Sequence, residues 1–210
     1  MSLTYDSLVQ QIMDNLDRTD NATLLEVPNF IARAEQIGSR KILSIGMLQY
    51  VTGTLTPGIN QYEKPANWRQ NITFSCQSLD GLQTVSTLQL RSYEYMVQYS
   101  PQPGLQSIPI FYGDFDYNTI YIAPTPDLAY PFLWGYLQLP FPLSPQNQTN
   151  WYTNNAPDYI FYASMVEAML YLKTDDRLQL FQGKMQEAID SLNEQDKRRV
   201  IDRSANVGAA

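Results

Sequence analysis

Tyr5, Leu8, Val9, Ile12, Met13 and Leu16 recur at the i, i+3, i+4, i+7 spacing of one buried helix face, with Asp14, Asn15 and Asp17 opposite. They predict a first amphipathic helix, ended by the polar run Arg18-Thr19-Asp20-Asn21. Pro28 suits the first turn of a second helix, where its missing N–H would be unpaired in any residue. Phe30, Ile31, Ala34, Ile37, Ile42 and Ile45 supply that helix's apolar stripe, and Arg33, Glu35, Arg40 and Lys41 its wet side. After Pro157 the helical period returns. Ile160, Ala163, Met165, Val166, Met169, Leu170 and Leu172 fill a long helix, Asp175-Asp176 breaks it, and Leu178, Phe181, Met185, Ile189 and Leu192 stripe the next. The apolar period stops near Asn193, where a charged run begins.

Between these helical zones the period changes. Ile72, Phe74 and Cys76 alternate with Asn71, Thr73 and Ser75, which predicts a strand with one buried face. Asp80-Gly81 is a turn dipeptide, and Leu88-Gln89-Leu90 resumes the alternation. Ile108–Tyr112 and Thr119–Ile122 flank a Gly/Asp/Asn-rich turn and read as a second hairpin. Tyr130–Leu139 is a last apolar strand, and Ser92 can start a short helix over Ser92–Tyr99. Turns rather than long crossover helices separate the strands, so an antiparallel sheet is expected. The fold class is α+β: a bundle of about four helices built from both chain ends, with an inserted antiparallel β domain. The expected divisions are 1–49, 50–148 and 149–196, with 197–210 as an extended docking tail too polar to order alone.

Composition narrows the chemistry. The chain has 210 residues, 44 % hydrophobic and 17 % charged, a globular balance in which disorder is not expected. A net charge of −7 argues against a general nucleic-acid or membrane-surface binder, which needs excess cations. Histidine is absent, which removes Ser-His-Asp and Cys-His catalysis and imidazole metal sites within this chain. The lone Cys76 cannot form an internal disulfide and falls on the apolar face of its strand. The start lacks a secretory pattern and no run is long enough for a membrane span, so a protein made in the cytoplasm, with no membrane partner, is expected.

Candidate sites thin out on inspection. Asp114-x-Asp116-x-Asn118 opens like a calcium loop, but Thr119 and Thr125 stand where that loop needs Gly and Glu. Glu94, Asp114, Asp116 and Asp127 offer carboxylates with no spacing that pairs two of them for acid–base work. No catalytic, cofactor or metal residue is therefore expected. The β zone crowds aromatics, including Trp68, Tyr93, Tyr95, Tyr99, Tyr112, Phe115, Tyr117, Tyr121, Tyr130, Phe132, Trp134 and Tyr136. Its few cations, among them Lys64, Arg69 and Arg91, do not suit a nucleic-acid platform, leaving a protein interface or a sugar-binding sheet.

At the C-terminal third the sequence becomes familiar. Thr149-Asn150-Trp151, Ala156-Pro157-Asp158-Tyr159, Glu167-Ala168 and Leu172-Lys173-Thr174-Asp175-Asp176 resemble the C-terminal signature of tailed-bacteriophage head-to-tail adaptor (connector) proteins. Pro28-Asn29-Phe30-Ile31-Ala32-Arg33-Ala34-Glu35 is similar to that family's second helix. The resemblance covers about residues 4 to 200, through the order of these segments rather than any single one. It implies a structural virion protein at the neck: a homo-oligomeric, dodecameric ring beneath the portal protein. Such a ring extends the channel for double-stranded DNA and offers a platform to the tail nozzle or other tail proteins. It also implies that Lys197, Arg198, Arg199, Val200, Ile201 and Arg203 dock on the portal. The rival reading of the aromatic zone is a receptor- or carbohydrate-binding module of a phage tail.

Overall fold

A computed structural model describes residues 3–79, 84–173 and 177–205, with side chains as far as Arg199. Two compact units emerge, one formed by 1–47 with 139–210 and the other by 48–138. The expected turn Asp80-Gly81 and the Asp175-Asp176 break lie outside the described residues.

The first unit is helical. α1 (Tyr5–Leu16) starts on a reciprocal cap in which Thr4 Oγ1 accepts from Ser7 N at 3.2 Å and Ser7 Oγ accepts from Thr4 N at 2.8 Å. The next free amide, Tyr5 N, donates to Gln148 O at 2.7 Å, which fixes the helix start to the chain just ahead of Trp151. α2 (Asn21–Lys41) begins earlier than the proline suggested. Asp20 accepts from Thr23 N at 2.9 Å and caps it, so the run 18–21 both ends α1 and starts α2. Pro28 consequently sits inside α2 rather than in its first turn. The cap and the buried face formed by Val27, Phe30, Ile31 and Ala34 outweigh its helix-breaking cost of about 3 kcal/mol. α4 (Trp151–Asn155), α5 (Pro157–Leu172) and α6 (Leu178–Ala205) complete the unit.

One apolar core joins Leu8, Ile12 and Leu16 of α1, Phe30 and Ile31 of α2, Tyr152 of α4, Val166 and Met169 of α5, and Phe181, Met185 and Ile189 of α6. It draws on five helices from both chain segments. Leu170, expected inside, is 52 % exposed, because the stripe of α5 turns away one residue earlier, at Met169. α6 also departs from expectation. It continues as helix to Ala205, through 197–205 where an extended tail was expected. Strong helix formers (Glu194, Gln195, Lys197, Arg198 and Arg199) propagate an already nucleated helix beyond the last buried side chain.

Among the described residues the second unit holds two four-stranded sheets, not one. The first has the order β1-β8-β3-β4, built from β1 (Leu48–Thr54), β3 (Trp68–Gln77), β4 (Val85–Thr87) and β8 (Pro131–Gln138), all antiparallel. The second has the order β2-β7-β6-β5, built from β2 (Gln61–Glu63), β5 (Gln89–Leu90), β6 (Phe111–Asp114) and β7 (Thr119–Ala123). In it β5 pairs with β6 in parallel, contrary to the all-antiparallel expectation. The cause is α3 (Tyr93–Tyr99), which intervenes between β5 and β6 and returns the chain in the same direction. Gly113 lets the strands approach: a Cβ there would collide with the Arg91 carbonyl oxygen.

A register shift between Asn71 and Thr73 corrects the β3 reading too. The bulge breaks the alternation, leaving Ile72 39 % exposed while Phe74 and Cys76 stay buried. It also turns the Asn71 carboxamide so that its Oδ1 accepts from both Trp68 Nε1 and Trp134 Nε1 at 3.0 Å. Phe74, Tyr112, Ile120, Ile122, Tyr130 and Trp134 form the core beside them.

Candidate functional site

The resemblance-bearing residues do not scatter; many converge within the helical unit. Glu35, on α2, faces the segment that precedes α4. Its Oε1 accepts from Leu143 N at 3.1 Å and from Asn150 Nδ2 at 2.6 Å. Asn150 Nδ2 also donates to Phe141 O at 3.0 Å, and Asn150 Oδ1 caps α4 by accepting from Tyr152 N at 3.0 Å. One asparagine thus ends a loop, starts a helix and clasps both to α2. Burial pushes the Glu35 carboxyl up to about 7, against the opposing pull of the Leu143 amide and the Asn150 carboxamide, which favour the anion. Beside it lies a cavity of about 190 Å³ lined by Ala32, Glu35, Ser39, Leu139, Pro142 and Tyr152.

The remaining motif residues are structural. Ala34 is buried and its carbonyl accepts from the Tyr159 hydroxyl at 2.8 Å. Phe30 is buried against Tyr171, with ring centroids 5.4 Å apart. Pro157 takes the first turn of α5, with Asp158 following at its positive end. Glu167 on α5 pairs with Arg33 on α2 at 3.7 Å. Trp151 packs on Tyr152 edge to face. Sequence patterns did not single out Tyr152 or Gly38, and Tyr159 entered only within the segment that carried the resemblance. The signal was present: only glycine at 38 admits both rings, since a Cβ would lie 2.9 Å from each. The Tyr152 hydroxyl is buried with no hydrogen-bond partner among the described residues.

The basic segment expected to dock is the end of α6. Asp196 Oδ1 accepts from Ser44 Oγ at 3.0 Å, joining α6 to the turn that follows α2. Arg199 stands 4.0 Å from Asp196 and is more than half exposed, a loose surface pair. Lys197 and Arg198 are exposed. Val200, Ile201 and Arg203 are helical in backbone, and their side chains lie outside the description.

In the β unit the acidic turn closes on itself. Asp116 Oδ1 accepts from Asn118 N at 2.8 Å and from Thr119 N at 2.6 Å, which holds its carboxyl below the usual range. Lys64 pairs with Asp114 and lies 4.0 Å over the Trp68 ring, with only 4 % of its side chain exposed. The turn is therefore a cation-locked hairpin, in which Lys64 pairs with the Asp114 carboxylate while backbone amides take that of Asp116. Among the described residues no group of three metal-ligating side chains converges. Burial pushes the Cys76 thiol up to about 12, which suppresses the thiolate.

The aromatic residues around α3 pack on one another. Tyr93 meets Phe115 and Tyr121 edge to face, and Tyr95 and Tyr99 both meet Phe111 in the same way. Their outer surfaces remain open, with Tyr95 43 % and Tyr99 51 % exposed. No helix among the described residues is long and apolar enough to cross a membrane.

The family model described as SU10 adaptor protein matches residues 3–208, almost the whole chain. No curated protein matches it.

Proposed function

The chain belongs to the SU10 adaptor protein family, a phage head-to-tail adaptor family, and from that premise we propose that it forms a homo-oligomeric ring beneath the portal. The family assignment makes it a phage adaptor and a virion component, outside the known enzyme families. The ring extends the DNA channel and carries the tail at the neck. The observation that carries this reading is the match over 3–208, which spans both units rather than one of them.

The physical features suit the role. A ring subunit needs one surface for each neighbour around the ring and others for partners along the axis, and two separately cored units supply distinct surfaces. A channel for a polyanion works best when it does not hold the DNA, and a subunit charge of −7 disfavours phosphate binding. The basic end of α6, with Lys197 and Arg198 exposed and Arg199 only loosely paired, is the segment we assign to the portal. Arg203, Val200 and Ile201 continue it on the same helix. The open tyrosine surface of the β unit is the platform for tail proteins.

Electron microscopy of the full-length protein with portal-bearing capsids tests this directly. Rings seated on the portal are expected. Density for this chain elsewhere in the virion, or monomers that leave the portal bare, would refute the assignment. Deleting residues 197–210 should leave the core of the helical unit folded, since its last buried side chain among the described residues is Ile189, while portal attachment is lost.

A further inference from the structure

Two carboxylates that the helical unit largely covers have a cation beside them. Glu167 and Asp196, each 14 % exposed in the side chain, face Arg33 at 3.7 Å and Arg199 at 4.0 Å. Glu35 has no such partner among the described residues, although burial disfavours its anion. Its hydrogen bonds are also one-sided. Oε1 accepts from Leu143 N at 3.1 Å and Asn150 Nδ2 at 2.6 Å, whereas among the described residues Oε2 has only a long contact with Leu143 N at 3.3 Å. A second polar group close by is unmatched. Tyr152 is 1 % exposed, and its hydroxyl has no hydrogen-bond partner among the described residues. That hydroxyl sits against Gly38, one turn along α2 from Glu35. Both side chains line the cavity of about 190 Å³, whose other walls include Ala32, Leu139, Pro140 and Pro142. Ala32 and Pro142 are exposed, so the cavity reaches the surface between them.

We propose that this cavity is a socket for one lysine side chain of a partner protein, with its ammonium between Glu35 Oε2 and the Tyr152 hydroxyl. The inference stands apart from the ring reading given above. Size limits the occupant, since pockets for whole small-molecule ligands start at about 300 Å³ and this one has room for a single side chain. The walls suit a lysine, whose four-carbon stem packs on apolar surface while its head seeks a charge. The free acceptors select ammonium over guanidinium. Arginine recognises a carboxylate best through both oxygens at once, and Oε1 is already taken by two donors, whereas a compact ammonium needs one carboxylate oxygen and can spend a second proton on the phenol. Overall charge points to another protein as the carrier. A subunit of −7 repels a second copy of itself and attracts a basic segment. Of this chain's own lysines, Lys64 is held by Asp114 and Lys184 by Glu187.

Two measurements on the full-length protein test the socket. In the first, fluorescein-labelled Ala-Ala-Lys-Ala-Ala-amide is titrated and followed by anisotropy, beside the same peptide with norleucine or arginine at the centre. The lysine peptide should bind at least tenfold more tightly than either. Glu35→Gln, which keeps the bonds to Leu143 and Asn150 but not the charge, should lose that preference, as should Ala32→Trp, a plug at an exposed position. Tyr152→Phe should weaken binding severalfold with no loss of melting temperature, because the hydroxyl it removes has nothing to release. Equal binding of the lysine and norleucine peptides, or of the wild type and Glu35→Gln, would overturn the proposal. In the second, intact virions are treated with a carbodiimide, which joins a carboxyl to an adjacent amine, and the products are mapped by mass spectrometry. Glu35 should be joined to a lysine of another virion protein, at a yield that Ala32→Trp lowers tenfold or more. Glu35 joined only to lysines of this chain, or to none, would overturn it and leave the ring reading untouched.

Discussion

Gly38→Ala separates two physical effects of opposite sign. In an exposed helix interior this change favours the helix by about 1 kcal/mol, because glycine has more backbone freedom to lose. At position 38 the added methyl would lie 2.9 Å from Cζ and the hydroxyl of Tyr152 and 2.9 Å from Cε1 of Tyr159. Neither ring can give easily. Tyr152 is 1 % and Tyr159 0 % exposed, and the Tyr159 hydroxyl is fixed to the Ala34 carbonyl at 2.8 Å. Overpacking of this kind costs about 1–3 kcal/mol, which offsets or exceeds the propensity gain. Gly183, on α6, is the internal control. A Cβ there meets nothing within 4 Å, so Gly183→Ala should stabilise the helical unit by about 1 kcal/mol. The two variants should therefore differ by about 1–3 kcal/mol, and each kcal/mol moves Tm by about 2–4 °C in a protein of this size. Thermal and urea unfolding followed by far-UV circular dichroism would measure it. If Gly38→Ala melted at or above Gly183→Ala, the close packing of α2 on the two tyrosines would be wrong.

Other consequences follow from the same packing. Met169→Ala should cost about 2–5 kcal/mol, whereas Leu170→Ala, at a half-exposed position, should stay within about 0.5 kcal/mol; equal losses in urea titrations would return Leu170 to the core. The Glu35 carboxyl is raised from 4.5 to about 7 by burial, so the folded state holds this proton more tightly than the unfolded chain. Its contribution to stability is full below about 4.5 and is lost as pH rises through 7, a fall that Glu35→Gln should flatten in melting curves between pH 4.5 and 8. Lys64→Ala removes the cation between Asp114 and the Trp68 ring, and amide exchange at 114–119 should quicken while α5 is unaffected; uniform acceleration in both units would argue against a local lock.

Two kinds of information shaped this chain, and they reached different depths. Periodicity placed α1, α5 and the apolar stripe of α6, because a helix that buries one face must repeat every three to four residues whatever it packs against. The segments Pro28–Glu35 and Thr149–Asp158 carried the family resemblance, and the structure brings Glu35 and Asn150 together although they lie 115 residues apart. Composition bore on chemistry before any fold was known, since a chain without histidine cannot use imidazole. Tertiary structure decided the rest. Asp20 fixed the start of α2 and carried Pro28 into the helix interior, because a cap and a buried face outweigh one missing N–H. The strand β1, with Gly53 interrupting its alternation, had no local signature and exists because β8 pairs along its whole length. The division into two sheets, the parallel β5–β6 pair and the bulge that turns Asn71 toward two tryptophans are likewise products of pairing between distant segments. A strand's neighbours are set by long-range hydrogen bonds and packing, and these leave no period of their own in the residues that make them.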